Sequence, residues 1–101
     1  MSMLEDVKVA LQVATQTYDS ELLGYIESAK VDIQAAGITN IDESDAGIHQ
    51  IIILFCKYRF ELIHGNAELA QAVKEVYDEQ KAQLGMRTGY TDFGEDSDGN
   101  I

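Results

Sequence analysis

A chain of 101 residues without proline has room for one small domain. Eighteen acidic residues against seven basic ones give a formal charge of −11, which excludes tight nucleic-acid binding through a basic patch and attraction to anionic membrane surfaces. The sole cysteine, Cys56, has no partner for an internal disulfide and sits in the most apolar stretch, so it reads as a small core hydrophobe in a reducing compartment.

The N-terminal stretch MSMLEDVKVAL carries acidic residues where an export signal has basic ones, so none is expected. Helical spacing predicts a first helix over residues 3–13, with Leu4, Val7 and Leu11 on one face and the acidic pair Glu5 and Asp6 in the first turn, where the helix dipole favours it. After ATQTYD, Asp19 has the chemistry of an N-cap, and Tyr18 and Leu23 have staple spacing. The apolar stripe Leu22, Ile26, Ala29, Ile33 and Ala36 then runs to Gly37, which suits a left-handed cap with Ile38 folding back onto Ile33.

The connector ITNIDESD is acidic and rich in turn formers; Asp42 or Ser44 is expected to cap the next helix, and Asp42, Glu43 and Asp45 are candidate contact residues. From Ala46 to Ile63 the chain is apolar nearly all round, interrupted only by Gln50, Lys57, Arg59 and Glu61. Its IIILF run also has strand character, which periodicity alone does not separate from a buried helix. The length of about eighteen residues decides for a core helix. The charged residues keep it well short of a membrane span. His64, Gly65 and Asn66 make a break, with Gly65 expected to be left-handed. A last helix follows over residues 67–84, with Leu69, Val73, Val76, Tyr77 and Leu84 inward and Lys74 and Asp78 one turn apart on the solvated side.

From Gly85 the sequence GMRTGYTDFGEDSDGNI loses helical period, and a flexible acidic tail is expected over residues 85–101. Tyr90 and Phe93 within it are either incidental or anchors that order on a partner. The fold class is therefore all-α, a small four-helix bundle around a central apolar helix, with a helical domain at 1–84 and an acidic tail at 85–101.

Catalytic signatures are missing, and neither a catalytic nor a cofactor-binding residue is assigned. Asp45 and His49 have the spacing of two metal ligands on a helix, but a third is not evident, so no metal is expected. The tail GEDSDGN fails as a calcium loop because Gly94 stands at the first ligand position. Asp92, Phe93 and Gly94 spell a kinase triplet in a chain too short for a kinase.

The order MLEDVKVAL, YDSELLGYIESAKVDIQAAGI, HQIIILFCKYRFEL and ELAQAVKEVYDEQKAQLGM, with Tyr90 shortly after, resembles the small phage head-tail connector proteins, also called head-completion or DNA-packaging adaptor proteins. The resemblance covers residues 3 to about 90. It implies an all-helical, non-enzymatic virion protein at the head-tail interface, made in the host cytoplasm. It further implies a ring of about twelve subunits below the portal protein, contacting a tail-side completion protein. DNA would pass through such a ring without being gripped, which a strongly acidic wall permits. A different class, an acidic helical module that mimics DNA toward a basic partner, fits the charge as well.

Overall fold

The computed structural model describes residues 2–86, and these form four helices: α1 (Met3–Leu11), α2 (Asp19–Ala35), α3 (Ala46–His64) and α4 (Ala67–Gly85). The expectation of an all-α bundle around the apolar third helix holds. α3 packs against each of the other three helices, and α1 also touches α2. The IIILF run is helical, with Ile51, Ile52, Phe55 and Cys56 buried. The tail readings, including Tyr90 and Phe93, fall outside the described residues.

Each helix begins and ends for a local chemical reason. Ser2 and Glu5 form a reciprocal capping box at α1, each side chain accepting the other's backbone N–H at 3.1 Å. The helix stops at Leu11, earlier than residue 13, because Gln12 turns left-handed at φ 59°. α2 closes as its sequence predicts: Gly37 has φ 94°, its N–H donates to Gln34, and Ile38 donates to Ile33 at 3.4 Å. That is the two-bond Schellman ending, and it leaves Ile33 and Ile38 fully buried together.

Three cap assignments differ from the sequence reading. Asp19 is the first residue of α2 and not its cap; Tyr18 takes that position without a side-chain bond, while Asp19 pairs with Lys8 at 2.8 Å. Leu23 is exposed, so the staple does not form, and Tyr18 packs instead edge-on against Phe60, centroids 5.2 Å apart. α3 is capped by Asp45, which accepts from the Ile48 N–H at 3.1 Å, whereas Asp42 folds the loop by accepting from Ser44 N–H and Oγ at 3.0 and 2.7 Å. Gly65 has φ −132° and is not left-handed. The break works differently: Asn66 Oδ1 accepts from Glu68 and Leu69 at 2.8 and 3.1 Å, and Glu61 reaches forward to the Asn66 N–H.

The core is one cluster centred on α3, with Val7 from α1, Leu22, Ile26, Ala29 and Ile33 from α2, and Tyr77 and Leu84 from α4. α3 and α4 form an antiparallel hairpin whose ends approach so closely that a Cβ added at Gly47 would lie 2.9 Å from a Leu84 methyl. On α4, Val73, Tyr77 and Leu84 point inward as expected. Leu69 and Val76 do not; each is 41% exposed and Ala70 is buried in their stead. Ala36 is likewise exposed, beyond the end of the α2 stripe.

Candidate interaction surfaces

Because α2 and α4 both lean on α3 and barely on each other, a groove of about 620 Å³ opens between them. Its floor is Phe55, Tyr58 and Arg59 of α3; Val31 and Ala35 line the α2 side and Lys74, Tyr77 and Lys81 the α4 side. Phe55 meets Tyr58 and Tyr77 in edge-to-face contacts, centroids 6.1 and 5.4 Å apart, so the floor is a rigid aromatic platform.

Asp32 ties the two walls together. Its Oδ2 accepts the Tyr77 hydroxyl at 2.5 Å and Lys81 Nζ at 2.8 Å. Partial burial pushes the Asp32 carboxyl up, but the bonds from Lys81 and Tyr77 outweigh it and hold the group below its ordinary value. Burial, then Asp32 itself, drives the Tyr77 phenol well above its ordinary value. The other cations of this region are matched too: Lys74 pairs with Asp78 at 2.8 Å, as the sequence spacing predicts, and Lys30 with Glu27 at 3.5 Å and Glu43 at 2.5 Å.

Arg59 is different. Its guanidinium lies 5.6 Å from the Tyr25 ring centre and 5.9 Å from that of Phe55, its Nε is buried without a hydrogen-bond acceptor, and among the described residues it has no carboxylate partner. Stacking on two aromatic faces offsets part of the cost of holding this cation. Nothing in the local sequence marks it; the signal becomes visible only when α2 and α4 flank α3.

The acidic loop candidates occupy one edge of the bundle, and each has a local task. Asp42 shapes the turn, Glu43 pairs with Lys30, and Asp45 caps α3. Hydrogen bonds from Ser44 hold the Asp42 carboxyl below its ordinary value. His49 bonds Asp6 at 2.8 Å across to α1, and no cluster of three metal-ligating side chains occurs among the described residues. His64 bonds Glu21 at 2.7 Å, and Glu21 also accepts from Tyr25. Cys56 is fully buried, and burial pushes its thiol up to about 12, so it behaves as the inert core residue its sequence setting implies.

The outer surface is acidic and patchily apolar. Glu68, Glu75 and Glu79 share the solvent side of α4. Leu62 and Ile63 at the end of α3 are 50% and 56% exposed. No helix among the described residues is long and apolar enough to cross a membrane.

The family model of the phage connector proteins matches residues 3–91, and the chain belongs to that family. No curated protein and no solved structure matches the chain. The family is one of structural proteins of the phage particle, which assemble with other head and tail components.

Proposed function

We propose that this protein is the head-tail adaptor of a phage or prophage particle. Copies stand side by side in a ring of about twelve below the portal protein. The ring extends the DNA channel and presents a surface to a tail-side completion protein. It works by position and shape, without catalysis, and joins the virion from the host cytoplasm. The observation that carries this reading is the family match over nearly the whole helical fold.

Two physical features support it. A helical fold this small has little core of its own and gains stability when neighbours cover its exposed apolar side chains. A wall with a surplus of carboxylates does not hold DNA phosphates, so DNA slides past it. Contacts to portal and tail fall to the acidic loop, through Asp42, Glu43 and Asp45, and to the C-terminal segment, through Tyr90 and Phe93.

The test is the particle. Heads assembled without this protein are expected to fill and leak or to remain tailless in negative-stain images, and immobilised portal protein is expected to capture the wild-type chain. Normally tailed particles made in its absence would overturn the proposal.

A further inference from the structure

Two faces of the bundle carry exposed apolar side chains beside charges of opposite sign. The first lies on the α3–α4 hairpin. Lys57 is two positions from both Phe55 and Arg59, which at about 100° per residue turns it nearly opposite the groove floor. Phe55 packs on Tyr77 and Gly47 abuts Leu84, so the antiparallel register sets Lys57 beside the turn of α4 that carries Val76. Leu69, Val76, Gln80 and Gln83 run along this flank of α4, and none is a carboxylate. Lys8, Lys30, Lys74 and Lys81 all sit in ion pairs, whereas Lys57 has no carboxylate partner among the described residues. Glu61, one turn further on, accepts from the Asn66 N–H.

The second face is the solvent side of α2. Leu23, Glu27 and Val31 follow one another a turn apart, with Leu23 and Val31 49% and 66% exposed. Glu27 meets only Lys30, at 3.5 Å, and Lys30 makes its shorter pair with Glu43. Beside them Gly24 sits in the helix interior, where glycine weakens a helix relative to alanine. It has no positive φ to require it, and a Cβ there would touch nothing within 4 Å. The isolated chain has no use for a glycine at this place; a second chain approaching the bare backbone does.

We propose that, in the ring, each copy lays Lys57, Leu69 and Val76 against Leu23, Glu27 and Val31 of the next copy, with Lys57 paired to Glu27 and the apolar side chains closing over Gly24. This rests on the ring proposed above and names its lateral contact. Charge selects the pairing: either face against itself sets Lys57 against Lys57 or Glu27 against Glu27, whereas one face against the other matches them. The two faces share no residue, so one copy uses both at once. A contact between unlike faces passes from copy to copy until it closes, as a ring requires.

The experiment counts copies of the full chain bound per portal by analytical ultracentrifugation, with circular dichroism to show that each variant is folded. Wild type is expected to load many copies. Lys57→Glu and Glu27→Lys should each need about tenfold or more higher concentration to do so, because like charges then face each other. Glu27→Lys also moves the net charge toward zero, so repulsion between whole subunits alone predicts the opposite result for it. Lys57→Glu combined with Glu27→Lys should restore loading. Gly24→Gln should raise the urea midpoint of the isolated chain yet load poorly. A wild-type chain that never exceeds one copy per portal overturns the ring and this contact with it. Wild-type loading matched by either single reversal or by Gly24→Gln, or loading lost in both reversals and not restored by the combination, overturns the contact alone.

Discussion

Gly37 and Gln12 do the same job at the ends of consecutive helices, both with positive φ. For glycine the left-handed conformation is free of Cβ strain, whereas another residue there bears about 1–2 kcal/mol. Gly37→Ala is therefore expected to destabilise the bundle by about 1–2 kcal/mol, seen as a lower urea midpoint with unchanged slope. The cost comes from the turn that buries Ile38, so it should not depend on salt. Gly37 was legible because AAGI pairs a glycine with a following apolar residue, the Schellman pattern. Gln12 was not, since a long polar side chain carries no mark of a left-handed backbone. At Gly65 the same kind of signal misled: Asn66 caps α4 and Glu61 reaches over the glycine, so the break closes without positive φ.

At the scale of helices, the apolar faces of α1 to α3 were largely readable from spacing, but α4 shows where that method stops. Leu69, Val73, Val76, Tyr77 and Leu84 fit helical recurrence, yet the helix turns Ala70 to the core with Val73, Tyr77 and Leu84 and leaves Leu69 and Val76 half exposed. Small Ala70, one turn into α4, takes the inward position and is buried. The link between α2 and α4 was invisible, since Asp32 meets Tyr77 and Lys81 only across the fold. Replacing its carboxylate by an amide, Asp32→Asn, keeps the shape but removes two charge-assisted bonds. A loss of about 1–2 kcal/mol is expected at neutral pH. The pH dependence has a definite sign. Asp32 titrates lower in the folded chain than its ordinary 3.8, so its contribution is complete above that pH and disappears as pH falls through the lower folded value. Urea midpoints of wild type and Asp32→Asn should therefore differ at pH 7 and converge as pH falls below the ordinary 3.8. A constant difference across that range would show that the carboxylate charge is not what ties α2 to α4.

For the whole molecule, the proposed ring would have to bring copies with a formal charge of −11 together. Like charges on neighbouring subunits repel, so a ring needs apolar area at its lateral contacts to offset the repulsion. In the proposed ring, Leu69 and Val76 would supply such area. They lie seven residues apart on one flank of α4, at 100° per residue well away from the groove residues Lys74, Asp78 and Lys81. Each buries part of its side chain in the monomer and leaves 41% exposed, the condition in which a neighbour gains the most by covering the rest. Leu69→Gln/Val76→Gln removes the apolar stripe without adding charge and keeps good helix formers at both places. The monomer should lose less than about 1 kcal/mol, as surface changes do, with its helical circular dichroism unchanged. Binding to the portal should lose its stoichiometry: sedimentation with immobilisation-free portal is expected to show few bound copies where wild type fills the ring. If the double variant still saturates the portal, the lateral contacts lie elsewhere, with Leu62 and Ile63 at the far end of α3 the next apolar side chains to replace.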